Sequence, residues 1–174
     1  MRVESILDSL GISVETLAAR SLIPFPEAAE LVVAEVGEKG REHLLAPAAA
    51  RAWGSLRQAA LADGVVISIA SAFRSVERQA EIVRAKLARG QSIDEILKVS
   101  APPGYSEHHS GRAVDVTTDG VRPLELEFEH TEAFAWLSRH AGRFGFCMSY
   151  PRQNRYGYLY EPWHWCWLQE GNRT

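Results

Sequence analysis

The sequence predicts an α+β fold in which a small, mostly antiparallel sheet is flanked by helices. Helical spacing of apolar residues dominates the first part of the 174-residue chain, and short β-branched and aromatic runs follow later. These runs need not alternate with helices, which distinguishes the pattern from that of a parallel α/β sheet. The length suits one domain that buries its own core without disulfide or metal staples.

Helices are predicted where apolar residues recur at helical spacing between capping and breaking residues. The segment 3–22 is expected to be helical with a break at 11–13, and Trp53, Leu56 and Leu61 mark a long Ala-rich helix. The predicted helices comprise residues 3–22, 27–37, 46–62, 76–89, 92–97 and 131–142.

Strands are predicted where β-branched and aromatic residues form short runs bounded by turn residues. VVISIASAF is typical of a buried strand, and Pro102-Pro103-Gly104 forms a rigid turn that no helix or central strand crosses. We expect residues 1–44 to form a helical extension packed on a domain of residues 45–174. The predicted strands comprise residues 65–73, 112–118, 145–151 and 158–168.

The composition argues against several classes of partner. The net charge is −3, with 24% charged residues, so no strong positive field attracts nucleic acid or an anionic membrane. No apolar stretch approaches the ~20 residues of a membrane span, and the N-terminus lacks the apolar region of a secretory signal. We therefore expect a monomer that is cytoplasmic as written, or periplasmic or in the cell wall if a signal segment has been removed.

The segment YSEHHSGRAVD offers metal-binding chemistry. It contains His108, His109 and Asp115, with Gly111 between them to permit a tight backbone path. Adjacent residues of an extended chain point in opposite directions, so only one of the two histidines is expected to reach an ion. Asp115 lies in an apolar strand, where an ionised carboxylate is costly unless it is paired or bound to a metal. A hydrogen bond from Asp115 to local backbone is the alternative that this segment alone leaves open.

A second cluster, EPWHW, contains Glu161 and His164. On a regular strand these side chains would face opposite ways, but Pro162 marks a bend that would bring both to one centre. Two histidines and one aspartate would supply three ligands to a catalytic zinc, which keeps a fourth position for water. Glu161 would accept a proton from that water, and Arg74 would stabilise the oxyanion that forms. Arg74 stands at a predicted helix start, which disfavours a cation, so its placement favours a function over a surface role.

Three segments of the chain resemble the signatures of the VanY-type D-alanyl-D-alanine carboxypeptidases. They are SAFRSVERQ (71–79), SEHHSGRAVDV (106–116) and YEPWHW (160–165). The family shares its zinc fold with the VanX-type dipeptidases, the L,D-carboxypeptidases and the Hedgehog signalling domain. The signature Ser-x-His-x-x-Gly-x-Ala-x-Asp is complete here, whereas Ala72-Phe73 replaces the usual Gly-Tyr of the first signature.

The resemblance implies a zinc-dependent carboxypeptidase with one zinc ion, acting on D-Ala-D-Ala or related peptidoglycan stem peptides. It assigns His108, Asp115 and His164 as zinc ligands, and it leaves His109 a supporting role. Glu161 would be the catalytic base. The other functional positions that it implies are Arg74, which would polarise the scissile carbonyl, and the substrate-binding residues Ser106, Gln79, Tyr150 and Trp163.

Other functions share these motifs. L,D-carboxypeptidase, D,D-dipeptidase and endopeptidase activities all fit, because selectivity would lie in the loops 90–104, 119–130 and 151–157. A non-catalytic zinc-containing binding module would have no need of Glu161 beside an open metal position. A purely structural zinc site would usually be closed by four ligands rich in cysteine. The sequence therefore favours a peptidase.

Overall fold

Two antiparallel sheets organise the part of the chain that the structure describes, residues 3–168 of the computed structural model. The smaller sheet is a hairpin, and the larger has four strands. The hairpin pairs β1 (Val32–Val36) with β2 (Glu42–Leu45), and the central sheet contains β3 (Ser68–Ser71), β4 (Ala113–Thr117), β5 (Phe146–Met148) and β6 (His164–Trp167). The order in the central sheet is β3-β4-β6-β5, with every neighbouring pair antiparallel. This architecture confirms the predicted α+β fold class.

The helices lie where capping residues allow them to begin. Ser75 accepts a hydrogen bond from the Arg78 N–H, and Ser92 forms a reciprocal capping box with Glu95. The helices are α1 (Val3–Ser9), α2 (Val14–Ala19), α3 (Pro47–Ala62), α4 (Val76–Leu87), α5 (Ile93–Ile96) and α6 (Glu132–His140), with 3-10 turns at Glu38–Gly40, Glu107–Ser110, Leu126–His130 and Ala141–Phe144.

The main core joins α3 to the central sheet. Trp53 and Leu56 of α3 pack in one cluster with Val114 of β4 and Phe146 of β5, and each of these side chains is almost completely buried. Burial of a side chain of this size contributes ~1.5–3 kcal/mol. The carboxylate of Glu35 in β1 accepts hydrogen bonds from the Trp53 indole at 3.1 Å and the Ile69 N–H at 2.9 Å. The hairpin is therefore attached to both α3 and β3.

A second apolar cluster holds the N-terminal segment in place. Helices α1 and α2 pack against α4 and α5, and the buried members of the cluster are Ile6, Leu7, Leu10, Ile12, Leu17, Ala80, Val83, Ile96 and Leu97. The helical prediction for 3–22 is confirmed as far as residue 19, with the break falling at residues 10–13, and residues 20–22 are not helical.

The predicted helix over 27–37 is wrong, because residues 32–36 form β1 instead. The segment VVAEV is rich in β-branched residues, and strand geometry lets Glu35 reach its buried partners in α3 and β3. Tertiary contacts thus outweigh the local helical pattern. The predicted strand over 158–168 is limited to β6, since the chain turns at Pro162 before pairing begins. Within residues 3–168, none of the helices combines the length and apolar character that a membrane span requires.

Candidate active site

Three side chains with metal-binding atoms converge beside the central sheet. Asp115 of β4 is paired in register with His164 of β6, and His108 comes from the 3-10 turn that precedes β4. The Asp115 carboxylate lies 3.2 Å from His108 Nε2 and 3.1 Å from His164 Nδ1. One donor atom from each residue falls within 4.8 Å of the others, and all three residues are buried. The sequence-predicted ligand residues are therefore brought together.

A glycine permits the backbone path that brings His108 to the cluster. Gly111 ends the 3-10 turn in the left-handed region, at φ +65°, and a Cβ there would lie 2.9 Å from the Ala46 nitrogen. Any other residue would meet both backbone strain and this close approach. The chain can consequently pass from the turn into β4 within two residues, which leaves His108 and Asp115 on the same side.

Each imidazole of the cluster is oriented by an acceptor on its far side. His108 Nδ1 lies 2.7 Å from the Ala72 carbonyl, which can only accept, so Nδ1 carries the proton and Nε2 faces Asp115. Burial lowers the pKa of His108 and favours its neutral form, with the Asp115 carboxylate acting in the opposite direction. His108 Nε2 and an Asp115 carboxylate oxygen therefore face each other at 3.2 Å.

Glu107 orients His164, and sequence reasoning missed this residue. Its Oε2 lies 2.8 Å from His164 Nε2 and accepts a second hydrogen bond from Ser149 Oγ at 2.6 Å. Burial lowers the pKa of His164, but hydrogen bonds to Asp115 and Glu107 outweigh it and raise that pKa to about 10. The only sequence signal was an acidic residue beside His108, and the chain pattern gave no indication that it faces a histidine 57 positions away.

His109 points away from the cluster and supports the neighbouring backbone. Its Nδ1 donates to the Arg74 carbonyl at 2.6 Å, and its Nε2 accepts from the Gly104 N–H at 3.1 Å. The expectation of extended backbone at His108 and His109 is wrong, because both lie in the 3-10 turn. With about three residues per turn, such a helix still rotates adjacent side chains well apart.

Glu161 and Arg74 border the cluster from two sides. A turn at Pro162, closed by a hydrogen bond from the His164 N–H to the Glu161 carbonyl at 3.1 Å, brings Glu161 Oε2 to 3.9 Å from His164 Nδ1. Burial raises the pKa of Glu161 to about 7. The guanidinium of Arg74 lies 3.8 Å from Asp115 Oδ2. A carboxyl that can exchange protons near neutral pH and a cation thus flank the same centre.

Gln79 lies behind Arg74 rather than on the cleft surface. Its Oε1 accepts from Arg74 at 2.9 Å, its Nε2 donates to the Ala101 carbonyl at 2.7 Å, and only 1% of the residue is exposed. The expectation that Gln79 contacts substrate directly therefore does not hold, since burial and these two bonds occupy its amide. Together with Ser71 Oγ at 3.1 Å, Gln79 fixes the position of Arg74.

A cleft of about 640 Å³ opens over the cluster. Its floor includes the three metal-binding side chains with Glu161 and Arg74, and three of the four predicted substrate-binding residues line it: Ser106, Tyr150 and Trp163. The ring of Tyr150 lies 4.6 Å from that of His164 between centroids. Apolar side chains form much of the remaining wall, namely Ile82, Val99, Leu124, Leu126 and Leu159.

The sheet and the site together define a peptidase fold of the VanY and LdcB type. Residues 42–170 match the family model VanY, described as D-alanyl-D-alanine carboxypeptidase. The chain belongs to this family.

Two curated relatives show the extent of the sequence similarity. A D-alanyl-D-alanine carboxypeptidase of Enterococcus faecalis is 37% identical over 120 residues, covering 63% of this chain and 43% of the relative. YodJ of Bacillus subtilis is 30% identical over 151 residues, covering 79% of this chain and 53% of the relative. The chain thus spans about half the length of these curated relatives.

Solved structures share the fold over most of the chain. The LD-carboxypeptidase LdcB superimposes with a TM-score of 0.75 at 27% identity, covering 83% of this chain and 71% of LdcB. VanYB in complex with D-alanine-D-alanine gives a TM-score of 0.66 at 30% identity, covering 87% of each chain. A VanY variant in complex with Zn(II) gives 0.64 at 30% identity, covering 87% of this chain and 88% of the variant.

Proposed function

We propose that this protein is a zinc-dependent carboxypeptidase that removes the C-terminal D-amino acid from D-Ala-D-Ala or related peptidoglycan stem peptides. The observation that carries the proposal is the buried His108, Asp115 and His164 set on the floor of a cleft that also contains Glu161 and Arg74. The D-alanyl-D-alanine complex of VanYB and the Zn(II) complex of a VanY variant support the proposed substrate class and metal.

The donor set fits zinc. His108 Nε2 and Asp115 Oδ2 face each other at 3.2 Å, so both atoms would be within reach of one cation. His164 Nδ1 also faces the Asp115 carboxylate, and the raised pKa of His164 means that this nitrogen carries a proton. Metal binding to Nδ1 would displace that proton. Two imidazoles and one carboxylate are typical zinc ligands, and three protein ligands leave a position open. Zinc bound there would supply a water of pKa ~7 and a Lewis acid for the substrate carbonyl.

Glu161 and Arg74 would perform the proton transfer and the charge stabilisation. With a pKa of about 7, the Glu161 carboxylate is suited to accept a proton from the attacking water and pass it to the leaving amine. The Arg74 guanidinium would donate to the oxygen that becomes negatively charged as the carbonyl is attacked. Gln79 and Ser71 hold that guanidinium at hydrogen-bond distance, so little reorganisation is needed during the reaction.

Glu107 would act through His164. Its hydrogen bond to Nε2 leaves Nδ1 directed toward Asp115, and Ser149 anchors the carboxylate in turn. A carboxylate behind a metal-binding imidazole fixes the ring orientation and raises its basicity. Glu107 is therefore a positioning residue for the proposed metal centre.

The remaining cleft residues would receive the peptide. Ser106, Tyr150 and Trp163 line the cleft beside the metal-binding groups, which supports a role in substrate binding. We propose residues 45–174 as the catalytic domain, acting as a monomer on a peptide, with residues 1–44 as an extension whose helices α1 and α2 pack against α4 and α5.

L,D-carboxypeptidase activity is the second candidate function. The TM-score against LdcB, 0.75, exceeds the 0.66 against VanYB. The two activities differ in the stereochemistry of the residue that precedes the scissile bond. They share the proposed metal site, so substrate comparison is the means of separating them.

Mass spectrometry of a muropeptide digest tests the proposal. The zinc-loaded protein is incubated with muropeptides carrying either a pentapeptide or a tetrapeptide stem, and a Glu161→Gln variant serves as the inactive control. Loss of one alanine from the pentapeptide supports D,D-carboxypeptidase activity, and loss from the tetrapeptide supports the L,D activity. Hydrolysis of free D-Ala-D-Ala, supplied as a separate substrate, with the stems left intact identifies a dipeptidase. Intact stems and intact D-Ala-D-Ala after prolonged incubation with fully zinc-loaded protein contradict the peptidase proposal.

A further inference from the structure

Three lysine and arginine side chains line the cleft, and two of them have anionic partners. Arg74 lies 3.8 Å from the Asp115 carboxylate. Arg152 donates two hydrogen bonds to the Glu129 carboxylate, at 3.0 and 2.8 Å. Lys86 is the third, and its Nζ lies 2.7 Å from Ser100 Oγ. Among the described residues, no carboxylate oxygen lies within 4.0 Å of this ammonium.

Lys86 is held on the wall of the cleft. It lies in the last turn of α4, where the helix macrodipole favours a cation, but the macrodipole does not explain why the side chain borders the cleft. Burial lowers the pKa of Lys86, and the charge of Glu161 only partly opposes this. A half-buried ammonium without a counter-ion is unfavourable, and an anion in the cleft would relieve that cost.

Ser100 supplies a second donor at a fixed position. The hydroxyl oxygen accepts from Lys86, which leaves its own O–H to donate. The backbone on either side is anchored, because the Ala101 carbonyl accepts from Gln79 at 2.7 Å and the Lys98 carbonyl accepts from the Leu159 N–H at 2.8 Å. An ammonium and a hydroxyl held side by side suit the two oxygens of one carboxylate.

We propose that Lys86 and Ser100 form a carboxylate-binding subsite in the cleft, which receives a free carboxylate of the peptide substrate. This inference rests on the proposed function and specifies how its substrate is held. The carboxylate has two possible sources: the C-terminus of the residue that is released, or an acidic side chain elsewhere in the peptide. Recognition of the C-terminal carboxylate would make the enzyme an exopeptidase, because a chain that continued beyond the released residue would lack this group.

The test compares Lys86→Met with the wild type and with Lys98→Met. Methionine preserves length and removes the charge, while Lys98 is an exposed lysine that does not line the cleft and so provides a matched control. Each protein is assayed on peptides that end in a carboxylate or an amide, and on pairs that carry an acidic or a neutral side chain at one internal position. Thermal melts verify that every variant is folded, and Ser100→Ala provides a second, smaller perturbation.

For peptides that carry the carboxylate bound by the subsite, we expect Lys86→Met to raise KM about 10- to 100-fold and to change kcat much less. This is the range for the loss of a hydrogen bond to a charged group. The wild-type protein should prefer these peptides to their neutral analogues. This preference should disappear in Lys86→Met and persist in Lys98→Met. Loss of the acid-to-amide preference identifies the C-terminus as the source, and loss of the side-chain preference identifies the internal carboxylate.

Unchanged preferences in both peptide series would overturn the subsite while leaving the proposed function intact. If zinc-loaded wild type cleaves none of the peptides, the proposed function fails, and calorimetric titration with the same peptides still decides the subsite. Binding that weakens in Lys86→Met but not in Lys98→Met supports the subsite. Equal or undetectable binding in all three proteins contradicts it.

Discussion

Replacement of Glu161 by glutamine isolates the proposed catalytic base, because it removes one charge and almost no volume. The Glu161 carboxylate lies 3.9 Å from His164 Nδ1, and Glu161 is not one of the three proposed metal ligands. Glutamine retains the shape of the side chain but cannot accept and release the proton of the attacking water. We therefore expect zinc to remain bound while kcat falls.

The magnitude follows from the role assigned to the carboxylate. General acid–base catalysis contributes about 10²–10⁴-fold, so kcat should fall by that factor, equivalent to about 3–5 kcal/mol. KM should change little, since the metal-binding residues, Arg74 and the cleft walls are unaltered.

The same substitution has a consequence for stability in the zinc-free protein. Burial raises the pKa of Glu161 from 4.5 to about 7, so the folded state holds its proton more tightly than the unfolded state. Ionisation of this group therefore costs stability as the pH rises from about 4.5 to about 7. Across this range, the free energy of unfolding of the wild type should fall relative to that of Glu161→Gln by up to about 3 kcal/mol.

Three measurements on matched samples test this reasoning. Plasma mass spectrometry gives zinc per chain, released D-alanine gives kcat and KM, and urea unfolding of chelated protein at the two ends of the pH range gives the stability difference. A Glu161→Gln variant that keeps its zinc and retains kcat within tenfold of the wild type would exclude Glu161 as the base. Loss of zinc from this variant would instead make Glu161 a ligand, contrary to the proposed site.

Four further substitutions test the supporting structure. His108→Ala should abolish stoichiometric zinc binding. His109→Ala should keep the metal but lose about 1–3 kcal/mol of stability, because its buried hydrogen bonds are broken. Metal analysis showing the reverse would mean that His109, and not His108, faces the ion. Glu107→Gln should weaken zinc affinity about 10- to 100-fold in chelator competition, and an unchanged affinity would refute its positioning role. Glu35→Ala strands two buried N–H donors and should cost about 2–6 kcal/mol in chemical unfolding, with zinc content unaffected; a loss below 1 kcal/mol would show that water replaces the carboxylate.

Features set by local chain pattern could be predicted from the sequence. The long helix α3, the caps at Ser75 and Ser92 and the strand containing Asp115 follow from short-range spacing and capping. The bend at Pro162 also has a local cause, and it brings Glu161 and His164 together as expected. Residue spacing alone could not show which distant segments meet at the site. The matches to three family signatures indicated that these segments come together.

Features that depend on distant partners could not be predicted. Residues 32–36 pair as a strand because Glu35 finds partners in α3 and β3, which the local helical pattern does not reveal. Glu107 contacts His164 because the pairing of β4 with β6 brings the two residues together. The local sequence around Glu107 does not reveal this tertiary contact. The family signature implies substrate binding by Gln79, whereas the packing shows that its amide binds Arg74 and the Ala101 carbonyl instead of facing the cleft.

X-ray absorption spectroscopy of the zinc-loaded protein tests the central claim most directly, with a crystal structure of the same sample to assign the ligands. The account predicts one zinc ion with nitrogen from His108 and His164, oxygen from Asp115, and water in the fourth position, all at about 2.0–2.2 Å. A fourth protein ligand closing that position, sulfur in the first shell, or zinc bound away from these three residues would contradict the proposed open catalytic site.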